Sequence, residues 1–190
     1  MLEEYYNKET KTLLIPFNFN GELKDLPLDT EIIIFDENYN KLQISLFNES
    51  VDNLPRSLTY LTFGYNFNRI VDNLPKNLTH LTFGYIFYQS VDNLPNNLTH
   101  LTFGWNFNQQ VDNLPPNLKH LTFGYCFDRA VDNLPANLTH LTFGKYFNQV
   151  VDNLPLSIEK IKIHRYRQNL IKKIPFGCKI VDEYDKEIFL

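Results

Sequence analysis

The sequence predicts a mostly-β solenoid of about nine coils, with one parallel sheet of short strands, extended or turn-rich return segments, and little or no α-helix. Three observations predict it. Val-Asp-Asn-Leu-Pro recurs at 51, 71, 91, 111, 131 and 151, and Leu-Thr-Phe-Gly at 61, 81, 101, 121 and 141, a period of 20 residues without slippage. A fixed period of that size marks stacked supersecondary units, none of which can bury its apolar face alone. Within each copy Leu61 and Phe63 alternate with Thr62 and Gly64. That is the period of two of a strand with one buried face. Finally, Pro55 and its equivalents fall mid-segment, where proline removes a backbone donor and holds the preceding Leu extended, so the return path is no helix.

Identical runs in successive copies stack as parallel strands about 4.8 Å apart. The invariant apolar positions Val51, Leu54, Leu58, Leu61, Phe63 and Phe67, with their equivalents, form the predicted interior. The Phe63 and Phe67 series are read as two ladders of five rings each. Weaker copies flank the regular block. Leu26 to Asn40 aligns with Leu54 to Asn68 without a gap, placing Ile33, Phe35 and Tyr39 on Leu61, Phe63 and Phe67, with eight extra residues around Lys41 to Asn48. At the other end, Ile158, Ile161 and Ile163 keep the apolar pattern, and Ile171, Ile174 and Pro175 mark a partial last turn. The chain therefore divides as one repeat domain over 1–190: degenerate coils and cap over 1–50, regular repeats over 51–155, degenerate coils and cap over 156–190.

The run from Leu58 (Leu58, Leu61, Phe63, Asn66, Phe67) resembles the leucine-rich repeat pattern LxxLxLxxNxL, with Phe in two apolar slots. The wording is more similar still to the FNIP repeat family, whose units join a Phe-Asn pair to an apolar residue and a Leu-Pro or Ile-Pro pair. Phe67-Asn68-Arg69-Ile70-Val71 followed by Leu74-Pro75 is one instance. Such repeats are known from social amoebae and giant viruses of amoebae, frequently behind an F-box. The resemblance implies a protein-interaction module, in some cases the substrate-reading arm of a ubiquitin ligase. An F-box needs about 40 residues of helical pattern before the repeats, whereas repeat-like sequence here begins by about Thr12, which argues against ligase recruitment by this chain.

Composition narrows the function. The net charge of -4 gives no global attraction to nucleic acid or anionic membrane. Cys126 and Cys178 are the only cysteines, so no disulfide framework exists. The acidic start Met1-Leu2-Glu3-Glu4 lacks the basic and apolar regions of a secretory signal. An intracellular, cytoplasmic location is expected, in a host cell if the protein is viral. On that expectation the sequons at Asn48, Asn77, Asn97 and Asn137, three of them by-products of the repeat unit, stay unmodified.

Nearly every reactive residue is present in several copies, whereas an active site needs one asymmetric pocket, so the sequence argues against an enzyme and implies no cofactor. The predicted partner-binding surface is the outward face of the stacked strands. It holds His80, His100, His120 and His140 in one column and Tyr65, Tyr85, Trp105 and Tyr125 in another. Tyr and Trp offer large contact area with a polar tip. A His column suggests metal binding or joint protonation near pH 6, but duplication alone creates such ladders and no carboxylate or Cys column completes a coordination set, so no metal is assigned. Glycine at 64 and its equivalents is read as structural. The Asp52 series supplies too few ligands for calcium and is read as bonding turn backbone groups coil after coil.

Charge is uneven: residues 1–50 hold ten acids and four bases, and residues 158–179 hold seven bases and one acid. Lys and Arg there are read as blocking edge-to-edge pairing of a terminal strand. The asymmetry also allows head-to-tail self-association. The expected function is a scaffold binding a protein partner; the alternative is a structural or self-assembling spacer.

Overall fold

The computed structural model describes residues 2–188, apart from the side chain of Tyr39. Ten strands form one sheet in sequence order. They are β1 (Tyr6–Asn7), β2 (Thr12–Ile15), β3 (Ile32–Phe35), β4 (Tyr60–Thr62), β5 (His80–Thr82), β6 (His100–Thr102), β7 (His120–Thr122), β8 (His140–Thr142), β9 (Lys160–Lys162) and β10 (Lys179–Val181). From β2 to β10 every pairing is parallel, with His80 opposite His100 and Leu81 opposite Leu101, so identical residues stack. Nine parallel strands bound eight complete turns, one fewer than the nine coils expected. Among the described residues the only helical segments are 3-10 turns at Leu2–Tyr5, Tyr39–Lys41 and Gln168–Leu170.

Each regular coil is a three-residue strand followed by three tight turns. The Leu58 N–H donates to the Pro55 carbonyl at 3.1 Å and the Phe67 N–H to the Gly64 carbonyl at 3.3 Å, closing two of the turns. Pro55 stands at the first position of its turn and contributes only its carbonyl, so its missing N–H costs the turn nothing. Inside, both Phe ladders run further than five rings. The first joins Phe35, Phe63, Phe83, Phe103, Phe123 and Phe143 at 5.7–6.0 Å between ring centroids. The second runs Phe19, Phe47, Phe67, Phe87, Phe107, Phe127 and Phe147 at 6.0–6.3 Å. Within a coil the two ladders touch at 3.7–4.0 Å. Aromatic rings bury about 150–250 Å² each, so these ladders dominate the core.

The gapless alignment of the early coil fails at one point. Phe47, not Tyr39, fills the slot before Phe67, and the Tyr39 side chain lies outside the described residues. The extra residues form a small excursion at Asn38–Gln43, so the regular register resumes at Phe47-Asn48 rather than after it. Register follows the buried aromatic, because the interior slot must be filled and a surface turn tolerates insertion.

The return side is joined by polar ladders. Asn20 Oδ1 accepts the Asn48 N–H, Asn48 the Asn68 N–H, Asn68 the Tyr88 N–H, Asn108 the Asp128 N–H, and Asp128 the Asn148 N–H, at 2.8–3.0 Å. This assigns a physical role to the Asn of the Phe-Asn pair: it satisfies one backbone donor of the next coil. The Asp column acts differently from the reading above. Asp52, Asp92 and Asp112 accept from the side-chain amides of Asn73, Asn113 and Asn133 at 2.9–3.2 Å, not from turn backbone of the next coil. At one end the sheet closes on β1, a two-residue edge strand antiparallel to β2; at the other the Ile188 N–H donates to the Ile180 carbonyl of β10.

Candidate functional site

The outward positions of the strands place one continuous surface along the sheet. Its first column runs Thr12, Ile32, Tyr60, His80, His100, His120, His140, Lys160 and Lys179, fixed by strand register. Its second runs Leu14, Ile34, Thr62, Thr82, Thr102, Thr122, Thr142 and Lys162.

The four predicted histidines are brought together as a stack. Centroids are 4.1, 4.2 and 4.5 Å apart, and Tyr60 caps the stack 3.8 Å from His80. Thr79 Oγ1 donates to the Thr59 carbonyl at 3.0 Å and also lies 2.9 Å from His80 Nδ1. The hydroxyl has one proton, so Nδ1 is the donor and Nε2 is left as an acceptor, 2.9 Å from the Tyr60 hydroxyl. Thr99 and Thr139 fix His100 and His140 in the same way. Face-to-face rings send their nitrogen lone pairs out in parallel rather than toward a common centre. No group of three or more His, Cys, Asp or Glu able to hold a metal ion occurs among the described residues.

Joint protonation near pH 6 does not fit this stack. Burial lowers the pKa of His80, His100 and His120, and neighbouring cations lower it further: His120 for His80; His80, Lys119 and His140 for His100; His100, His140 and Lys119 for His120, where Glu159 opposes. Each protonation therefore resists the next. A depressed folded pKa means that the unfolded chain binds protons first as pH falls. The contribution to stability is complete above the unfolded value near 6.5 and is lost as pH drops through the lowered folded values. Melting at pH 5 is expected below that at pH 7.5, with the difference reduced in His80/His100/His120→Gln. A stabilised protein at pH 5 would contradict the stack.

The predicted aromatic column lies just past the strands, not on them. Each strand ends at the Thr, and Tyr65 and its equivalents sit in the turn closed by the Gly64 carbonyl and the Phe67 N–H. Tyr65, Tyr85, Trp105 and Tyr125 stack at 4.6, 5.4 and 3.9 Å, and Tyr146 meets Tyr125 edge-on at 4.6 Å. Their ring faces are therefore used on one another, so the column presents ring edges to solvent; Trp105 is 40% exposed. The columns adjoin, since His140 and Thr142 line one shallow cleft and Thr142 and Lys145 the next. Glycine clears the turn for the preceding coil: a Cβ on Gly104 would lie 1.9 Å from the Gly84 carbonyl oxygen.

Residues missed by sequence reasoning lie at the two ends of this face. Leu14 and Ile34 are exposed at one end, 42% and 37%. At the other, Lys160 and Lys162 replace His and Thr, and their ammonium groups hold Asp185. β9 is internal, so these lysines do not guard an edge. Adding 20 to His140 and Thr142 leads straight to them.

A solved giant-virus structure, "The crystal structure of CroV588 a novel circular LRR protein structure", matches with a TM-score of 0.72 and 39% identity over 87% of this chain. The match covers 26% of that protein, so this chain spans about a quarter of its length. No curated protein matches. No helix among the described residues is long and apolar enough to cross a membrane. The model of the FNIP Repeat matches residues 47–86, 87–126 and 127–166, each match opening on a ring of the second Phe ladder. The chain belongs to the FNIP repeat family and has its leucine-rich-repeat-like solenoid fold.

Proposed function

We propose that this repeat scaffold binds a protein partner through the strand face and its bordering aromatic column, and that it has no catalytic activity. One observation carries the reading. The apolar columns and the return-side Asn ladders join coil to coil, whereas the outward columns line up as one unbroken surface from β2 to β9, on which Leu14, Ile34, Tyr60 and Trp105 are each more than a third exposed. Exposed apolar and aromatic side chains gathered on one face mark interaction surfaces. Nearly every reactive residue recurs from coil to coil, which argues against the single asymmetric constellation that catalysis needs. The self-assembling alternative is weaker, because the edge strand β1 is only two residues long and β10 is bonded by the chain's own C-terminal hairpin, which leaves a short template for an added strand. On this reading the protein works inside the cell, with neither metal nor cofactor.

The test compares wild type with a Tyr85/Trp105/Tyr125→Ser variant as bait in host-cell lysate, quantified by mass spectrometry. The variant is expected to melt close to wild type and to lose the partner. Capture of the same proteins by both would contradict the proposal.

A further inference from the structure

The strand face is not uniform along its length. It passes from apolar (Leu14, Ile34) through His, Thr and aromatic coils to a cationic end. There Lys145, Lys160, Lys162, Arg165 and Lys179 occupy continuations of the three outward columns, against Glu159, Glu183 and Asp185. Glu183 is engaged by the Arg165 N–H at 3.1 Å and lies 3.4 Å from His164 Nε2.

Asp185 reaches the same face from a C-terminal hairpin. Lys160 Nζ donates to Oδ1 at 2.9 Å and Lys162 Nζ to Oδ2 at 2.8 Å, so two lysines on alternate strand positions share one carboxylate. This holds the Asp185 carboxyl down at about 2. The hairpin is tied by Asp182, whose Oδ1 accepts the Tyr184 and Lys186 N–H groups at 2.9 Å. It places Asp185 at φ +63°, a conformation that Asp and Asn tolerate better than other side chains. The carboxylate shares its cleft with His120, Thr122, His140 and Thr142, residues of the candidate face.

We infer that the cationic end of the strand face binds an acidic segment of the protein partner, that Lys160 and Lys162 clamp one of its carboxylates, and that Asp185 fills this clamp in the free protein. The inference rests on the strand face being the binding surface. Charge complementarity selects the occupant: the paired ammonium groups already hold a carboxylate, and the surface next to them is uncharged, then apolar. A nucleic acid would need the basic track to continue, and it stops after one or two coils. An internal competitor lowers apparent affinity by the fraction of time for which it occupies the site.

The test is fluorescence anisotropy with a labelled deca-glutamate peptide at low ionic strength. Asp185→Asn keeps a residue suited to the left-handed turn and is expected to tighten binding by about three- to tenfold. Lys160→Gln/Lys162→Gln is expected to abolish it, and Asp152→Asn on the return side, which makes the same change in net charge as Asp185→Asn, to leave it unchanged. Circular dichroism confirms that each variant is folded. Equal binding by wild type and Asp185→Asn, retained binding by the lysine variant, or equally tight binding of an oligothymidylate of the same charge would overturn the inference. If the aromatic variant loses its partner while the lysine variant still binds the peptide, the acidic-segment inference fails and the strand-face reading stands. If the aromatic variant keeps its partner, the strand-face reading itself fails.

Discussion

Phe107→Ala is expected to lower unfolding free energy by roughly 3–5 kcal/mol, read as a reduced denaturation midpoint. Phe107 is fully buried, 6.1 Å from Phe87, 6.2 Å from Phe127 and 3.7 Å from Phe103. Truncation leaves a ring-sized void in the middle of a ladder. The rings on either side cannot collapse into it, because each is held in register by its own strand pairing. In a solenoid every coil leans on its neighbours, so the loss reaches both adjoining interfaces. Phe176→Ala is the matched control: that ring is fully exposed and its removal should shift stability by less than about 0.5 kcal/mol. Equal effects of the two variants would refute the core assignment.

Gly104→Ala adds one methyl group and is expected to cost at least about 3 kcal/mol, at or beyond the usual range for overpacking. The obstacle is backbone, since the new Cβ would lie 1.9 Å from the Gly84 oxygen and 2.5 Å from its carbonyl carbon. No flexible side chain can swing aside. Relief requires the coils to part, which stretches the Phe83 N–H to Thr102 and Asn106 N–H to Tyr85 bonds, both 2.9 Å. Gly104 has no positive φ, so the cost is contact rather than backbone strain. Gly21→Ala meets only the Phe19 ring, at 3.4 Å, and should be tolerated. Thermal melts of the two glycine variants decide the point; equal melting would contradict the close approach.

The fold was legible because duplication prints its own alignment. Leu61 and Phe63 recur at a spacing that leaves only parallel, in-register stacking, and Pro55 excludes a helix on the way back. Legibility failed where the period was interrupted. Phe47-Asn48 stands one period of 20 before Phe67-Asn68, so the strict repeat already points to Phe47; the gapless alignment from Leu26 hid this by carrying Tyr39 into the same slot. The site was half legible. The His and Tyr/Trp columns are visible as repeats, but ring-on-ring stacking and the tautomer fixed by Thr79 depend on distances between coils. Lys160 and Lys162 were hidden by the assumption that a basic terminal segment is an edge; the strand Lys179–Val181 that covers them has a 19-residue offset, outside the strict period.

Trp105 is the only tryptophan in the chain and sits in the middle of the aromatic column. Its fluorescence therefore reports on the binding face without any label. With the captured partner in hand, acrylamide quenching of Trp105, measured on a complex whose partner signal is subtracted, tests the strand-face claim most directly. Quenching is expected to fall markedly on binding, as the half-exposed indole edge is covered. Saturating partner with unchanged Trp105 quenching would place the interface elsewhere and contradict the claim.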